Sequence, residues 1–253
     1  MAAIDLIRDL LQGRAEVTPS LHVKLSSRDG SSLQDKFRQA YWWITNNAVI
    51  SPYYDVQFGE AKTVGTGHDV IELPQQYSYS SYILLPLLTL MSRRRALLVG
   101  APGRGKTSIA ILMGLLAGYS KDELHRAVQH GHPQLTVGDL LGAPLPSSLV
   151  KAETPEEVKV AWRKWIGLRV KVIDEYNRIP TKTQSALLSL LAEGYAEMYE
   201  QVMETGESAW FLTANDDEGG GTFQVIEALR DRIDVVVRCT PFNSRWLDKL
   251  VER

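Results

Sequence analysis

Apolar positions in this chain fall into helical stripes and short solid runs. Near the start, Ile4, Ile7, Leu10 and Leu11 share one face at helical spacing and predict a packed amphipathic helix. A second helix is predicted through residues 36–43, where the paired Trp42 and Trp43 either pack into a core or line a ligand surface; packing is the commoner use. From about residue 79 the pattern sharpens. Leu84, Leu85, Leu87, Leu88 and Leu90 predict a helix leading into a short strand over 96–99 that ends in glycine. Three more apolar runs, 170–173, 209–212 and 234–237, read as strands separated by helical segments. That alternation predicts an α/β three-layer sandwich with a mostly parallel central sheet covered on both faces. One helix carries its own punctuation. Thr181 with Gln184 forms the pattern of a capping box, Leu187, Leu190 and Leu191 make the buried stripe, and Gly194 stops it. Residues 242–253 read as the start of a further helix.

Composition narrows the class. At 253 residues the chain can build one large α/β domain, alone or with an appendage. Hydrophobic residues at 44% and charged residues at 23% exclude a disordered tail, a collagen-like fibre and a membrane bundle. The 28 Lys and Arg against 30 Asp and Glu give a net charge of −2, so no global basic field exists to hold nucleic acid or an anionic membrane. Neither is an expected partner, and the local run Arg93, Arg94 and Arg95 reads as a solvated strand end. A single cysteine, Cys239, rules out an intrachain disulfide framework and a cysteine-rich zinc site. The first residues mix acids with apolar side chains, unlike a signal peptide, and the most apolar run (83–91) is far short of the ~20 residues that span a bilayer. The expected location is the cytoplasm.

Chemistry concentrates in three places. Residues 100–107 read Gly-Ala-Pro-Gly-Arg-Gly-Lys-Thr, satisfying G-x-x-x-x-G-K-[ST] between an apolar strand and a helix. Glycines let backbone N–H groups converge on a polyanion, and the helix N-terminus adds its positive dipole end. Gly100, Ala101, Pro102, Gly103, Arg104, Gly105, Lys106, Thr107 and Ser108 are therefore the candidate ATP-binding residues, with Lys106 on the β- and γ-phosphates and Thr107 on Mg²⁺. The strand over 170–173 then delivers Asp174 and Glu175 at its carboxyl end, where α/β sheets bind ligands. Asp174 would hold Mg²⁺, mostly through water, and Glu175 would polarise the attacking water. Asn215 closes the strand starting at 209. A neutral amide there can hold a water in line with the γ-phosphate, or simply form an Asx turn.

This ordered series, together with Asp231 and Arg232, resembles the AAA+ ATPases, and within them the MoxR family. The stretch 173–188 (Ile-Asp-Glu-Tyr-Asn-Arg-Ile-Pro-Thr-Lys-Thr-Gln-Ser-Ala-Leu-Leu) is similar to that family's Walker B segment and following helix, and 227–233 to its segment ending in D-R-F. The resemblance covers roughly residues 80–240. It implies an ATP hydrolase acting in a homo-oligomeric, typically hexameric ring that remodels or matures a partner protein, the usual partner carrying a von Willebrand factor A domain. Residue by residue, it implies Lys106 and Glu175 as catalytic groups, Asn215 as sensor 1 and Arg232 as the arginine finger offered to a neighbour's ATP. Arg230 is the competing finger. Arg232 is expected on a helix end at the edge of the nucleotide crevice, and Arg178 near the subunit boundary.

The resemblance also divides the chain. Residues 1–78 form an N-terminal region without an assigned role, 79–241 the nucleotide-binding core, and 242–253 the start of a helical lid that stops short. Either the chain is a fragment or the lid is supplied elsewhere. His125, His130 and His132 cluster around Gly131; they read as a solvated loop unless a strand or helix holds the rings around a metal. Residues 143–148 resemble the family's pore-side region and touch a client or form an inert turn. Rival functions are another AAA+ motor, such as a restriction-type NTPase or chelatase-like subunit, and a nucleotide-gated scaffold that does not hydrolyse.

Overall fold

The computed structural model describes residues 32–47, 55–57, 59–66, 69–75, 78–215 and 225–239, together with 248 and 251. The helix expected over residues 4–11 and the body of the segment 242–253 lie outside the described residues.

The first described helix, α1 (Leu33–Asn47), starts where Ser32 and Asp35 exchange hydrogen bonds across the first turn. Phe37, Ala40, Tyr41 and Ile44 recur at helical spacing and are all buried. Trp43 packs against the same cluster, while Trp42 stays 47% exposed with its ring edge on Tyr41. Four short strands follow. β1 (Asp55–Gln57) runs antiparallel to a strand further on, β2 (Lys62–Thr66) and β3 (Asp69–Leu73) make a hairpin, and β4 (Ser78–Ser80) is the partner of β1. β4 runs straight into α2 (Ser81–Ser92), whose Ile83, Leu84 and Leu87 share one core with α1 and β3. The buried Tyr41 hydroxyl accepts the Ser80 amide at 2.8 Å across this junction.

The remaining elements alternate as the pattern predicted. They are β5 (Arg95–Val99), α3 (Lys106–Leu116), α4 (Lys121–Ala127), β6 (Val128–His130), α5 (Val137–Leu141), β7 (Gly142–Pro144), α6 (Pro146–Leu149), β8 (Val160–Trp162), β9 (Val170–Asp174), α7 (Thr181–Ala192), β10 (Tyr195–Met198), β11 (Gln201–Glu204), β12 (Ala209–Ala214), α8 (Glu227–Arg230) and β13 (Val235–Arg238). Five of the strands form one parallel sheet in the order β13-β5-β12-β9-β6. Successive side chains of a strand point to opposite faces, and this splits the interior in two. Ala96, Leu98, Val170, Val172, Ala209, Phe211 and Val237 join the core beneath α1, α2 and α3. Leu97, Ile173, Trp210 and Leu212 join a second core beneath α5, α7 and α8. The fold is an α/β P-loop sandwich of three layers.

Two local expectations change. β6 is a fifth strand, and it removes the loop expected around the histidines: His125 lies on α4, His130 ends β6, and only His132 lies beyond it. Among the described residues no group of three or more His, Cys, Asp or Glu side chains is placed to hold a metal ion. The capping box at Thr181 is not formed. Pro180 takes the N-cap position, and Gln184 turns inward to donate to the Ile179 carbonyl and accept the Ile226 amide. The expected stop at Gly194 is present, with φ of +77°. Among the described residues no helix is long and apolar enough to cross a membrane.

Candidate functional site

Parallel strands bring their carboxyl ends together, and here that edge collects every predicted group except the arginine finger. Val99 lies opposite Ala214, and His130 opposite Asp174. The Gly100 amide donates to the Ala214 carbonyl, and a Cβ at Gly100 would come within 2.3 Å of the Cys239 carbonyl oxygen. Only glycine fits there. Gly103 and Gly105 both adopt left-handed φ, +76° and +74°, which turns the loop into the N-terminus of α3. The loop is also tethered from outside the motif: the Tyr82 hydroxyl of α2 donates to the Arg104 carbonyl at 3.1 Å. Burial pushes the Tyr82 pKa well above its ordinary value, so this donor keeps its proton.

Lys106 is 6% exposed, with its ammonium folded back onto the loop. Nζ donates to the carbonyls of Gly100 at 2.6 Å and Ala101 at 2.9 Å, and to Asn215 Oδ1 at 2.9 Å. The other end of the same amide, Asn215 Nδ2, donates to Glu175 Oε1 at 2.9 Å, while Arg178 Nη1 donates to Glu175 Oε2 at 2.9 Å. A continuous chain of charge-assisted hydrogen bonds thus runs from the loop lysine to the proposed base. Glu175 itself sits in the left-handed region, φ 53° and ψ 49°, where a non-glycine residue is held at a cost of roughly 1–3 kcal/mol.

Beside this chain, one carboxylate oxygen of Asp174 gathers two hydroxyls. Thr107 Oγ1 donates to Asp174 Oδ1 at 2.6 Å and Thr213 Oγ1 donates to it at 2.7 Å, while His130 Nδ1 lies 3.3 Å from Oδ2. Burial opposes ionisation of Asp174, but the hydrogen bonds from His130, Thr107 and Thr213 outweigh it and hold the carboxyl below its ordinary pKa. The same contact raises the His130 pKa, against desolvation. The donor set is Thr107 and Asp174, hard oxygen ligands of the kind Mg²⁺ takes. The residues present therefore fit that ion.

The expected finger lies elsewhere. Asp234, just before β13, caps the start of β5: its Oδ2 accepts the Arg95 amide, and its own amide donates to the Arg95 carbonyl. Arg232 sits beside this corner, with its carbonyl accepting from Arg95 Nη1 at 3.4 Å. That is the amino end of β5, on the order of 13 Å along the strand from the loop at its carboxyl end. Arg232 is thus not at the edge of its own subunit's crevice, because the turn after α8 feeds β13 from the opposite end of the sheet. Its side chain is exposed and makes no hydrogen bond or ion pair among the described residues, whereas Arg230 lies near enough to Tyr176 to pull its pKa down against the upward push of burial.

Sequence reasoning missed three contributors. Thr213 is fully buried, donates to Asp174 and accepts the Glu175 amide at 2.9 Å. Its signal was a polar residue inside an apolar strand, two positions before Asn215. Gly131 donates its amide to the Asp174 carbonyl at 2.7 Å and passes so close to Glu175 that a Cβ would come within 2.2 Å of the Glu175 carbonyl oxygen. His130 was legible only once β6 was recognised as a strand.

The model of the ATPase family associated with various cellular activities (AAA) matches residues 95–235, more than half of the chain. Among solved structures, a Cytophaga hutchinsonii protein assigned as an ATPase is similar at 21% identity and a TM-score of 0.47, over 68% of this chain and 50% of that one. The closed state of Hsp104 with ATPγS and FITC-casein is similar at 14% identity and a TM-score of 0.47, over 68% and 36%. A Thermotoga maritima RuvB variant is similar at 17% identity and a TM-score of 0.41, over 68% and 49%. The chain thus spans half or less of the length of each of these proteins. No curated protein sequence matches the chain.

Proposed function

The chain belongs to the ATPase family associated with various cellular activities, and on that footing we propose that it binds Mg-ATP at the 100–108 loop and hydrolyses it. The observation that carries the proposal is the convergence of Lys106, Asn215 and Glu175 in one hydrogen-bonded chain beside the Thr107–Asp174 pair. Lys106 leaves the loop carbonyls for the β- and γ-phosphate oxygens, which offer stronger, charged acceptors. Thr107 and Asp174 would hold Mg²⁺, which would neutralise charge on the phosphates. Glu175 accepts the proton of the water that attacks the γ-phosphorus as the bond to the β-phosphate oxygen breaks. Asn215 orients that water.

The finer reading is of MoxR type. Support comes from the Asp-Glu-Tyr-Asn-Arg segment at 174–178 and from the position of Arg232. An exposed arginine remote from its own loop is suited to a neighbour's ATP, in a homo-oligomeric ring of typically six subunits. Work done by the ring would remodel or mature a partner protein, with a von Willebrand factor A domain as the expected partner. The chemical core of this reading is tested by Glu175→Gln and Lys106→Ala. Glu175→Gln should bind ATP with unchanged affinity in calorimetry and release no phosphate, while Lys106→Ala should lose affinity beyond detection. Wild-type affinity in Lys106→Ala would refute the loop assignment, and unchanged hydrolysis in Glu175→Gln would move the base elsewhere.

A further inference from the structure

A cleft of about 840 Å³ opens beside β6. Val128 and Gln129 of that strand line it. Among the described residues β6 is the last strand of the parallel sheet and pairs only with β9, so the cleft lies along a sheet edge. Unpaired edge strands are templates for a further strand.

The walls are basic. His125 and Arg126 come from the end of α4, and Arg163 and Lys164 follow β8. Among the described residues the side chains of His125, Arg126 and Lys164 make no hydrogen bond or ion pair, and all three are exposed. Arg163, also exposed, donates Nε to the Asp139 carbonyl at 3.1 Å, and its terminal nitrogens make no hydrogen bond or ion pair among the described residues. Among the described residues Asp139 is the one acid lining the cleft, and its carboxylate is engaged: Oδ2 accepts the Thr136 hydroxyl at 2.6 Å and the Thr136 amide at 3.1 Å in a capping box. On a chain of net charge −2, three full positive charges around one committed carboxylate are a local reversal of sign.

We propose that this cleft docks an extended acidic peptide from another protein, laid along the outer edge of β6 as a sixth strand, with its Asp or Glu side chains on Arg126, Arg163 and Lys164. Charge complementarity selects the acid, and the sheet edge selects a polypeptide over a nucleic acid, whose backbone cannot continue a β-ladder. The site is separate from the phosphate loop, so its occupancy is read without any assay of ATP turnover.

The test uses the whole chain and a fluorescein-labelled peptide of alternating Asp and Val, followed by anisotropy at low salt. The peptide should bind, and binding should weaken steeply as salt is raised. Arg126→Glu/Lys164→Glu should lose at least tenfold in affinity while keeping the wild-type melting temperature and ATP affinity. Neither side chain holds the fold, so the variant reports on the cleft. A peptide with proline at alternate positions keeps the charge but cannot pair with an edge, and it should bind at least tenfold more weakly. Equal binding of the proline peptide would overturn the added strand. Unchanged affinity in the charge-reversed variant, or tighter binding of a single-stranded RNA of equal charge, would overturn the acidic-peptide site.

Discussion

Gly131 offers the sharpest test of how the proposed catalytic edge is held. Gly131→Ala places a Cβ 2.2 Å from the Glu175 carbonyl oxygen, 2.9 Å from its carbon and 3.1 Å from the Asp174 carbonyl oxygen. All three are backbone atoms, so no side chain can swing away. Opening the first contact to the 3.0 Å below which real Cβ atoms are essentially never found takes a shift of about 0.8 Å. The shift falls on the bond from the Gly131 amide to the Asp174 carbonyl and on the left-handed turn at Glu175. A displacement of about 1 Å at a reacting group can cost on the order of 100-fold in rate, and overpacking typically costs about 1–3 kcal/mol of stability. We expect kcat for ATP to fall roughly 100-fold. Nucleotide affinity should hold, because the loop and α3 lie on β5 and not on β6. Steady-state phosphate release with calorimetric ATP binding measures both. Gly138→Ala is the control: its Cβ would meet only Thr136 Oγ1 at 3.7 Å, an ordinary contact. A folded Gly131→Ala protein with undiminished kcat would refute the reasoning, as would a Gly138→Ala protein equally impaired.

Three other outcomes follow from the structure. Thr213→Val removes the hydroxyl that donates to Asp174 and accepts the Glu175 amide, and should weaken Mg²⁺ binding, titrated with ATP present, by roughly 10–100-fold while sparing metal-free ATP affinity. Lys171 is fully buried against Trp210, and burial pushes its pKa down to about 8, so the unfolded chain holds a proton that the native one lacks between about pH 8 and pH 10.4. Stability from this group therefore rises with pH, by about 2 kcal/mol from pH 7.5 to 9.5, and is lost as pH falls through the folded value; urea unfolding should show this rise missing in Lys171→Met, and an identical rise in both proteins would contradict it. Arg232→Ala and Lys106→Ala subunits, each inactive alone, should regain partial ATPase activity when mixed if Arg232 serves a neighbour's site. Mixed assemblies that stay inactive would leave Arg230 as the finger.

What could be read from the sequence depended on how local the cause was. The phosphate loop, the strand before Asp174 and the helix stop at Gly194 are dictated by neighbours in the chain, and each is found where the pattern put it. Thr181 and Gln184 satisfied a local rule that lost to a tertiary one: Pro180 occupies the cap, and Gln184 is needed to tie α7 to the Ile226 amide. The same rule holds at Ser120 with Glu123 and at Thr136 with Asp139, two pairs that went unread. β6 was missed because three residues carry almost no periodicity, and with it went the contacts of His130 and Gly131 to Asp174 and Glu175. Arg232 was displaced for a topological reason. No local pattern says which end of a sheet a turn returns to.

The junction between β4 and α2 bears on where this polypeptide can be cut. Ser80 is paired to Asp55 and bonded to the Tyr41 hydroxyl, and one residue later the helix begins that carries Tyr82 to the phosphate loop. A fragment starting at residue 79 would keep every nucleotide-facing motif. It would also strip Phe37, Tyr41, Ile44, Ile71 and Leu73 from the flank of Ile83, Leu84 and Leu87, each such side chain worth roughly 1.5–3 kcal/mol when fully covered. The exposed flank would be sticky, and its loosened helix would carry the Arg104 tether with it. Expression limits and protease-trimmed cores of this protein are therefore better set ahead of Leu33 than at the first residue of the recognisable ATPase segment.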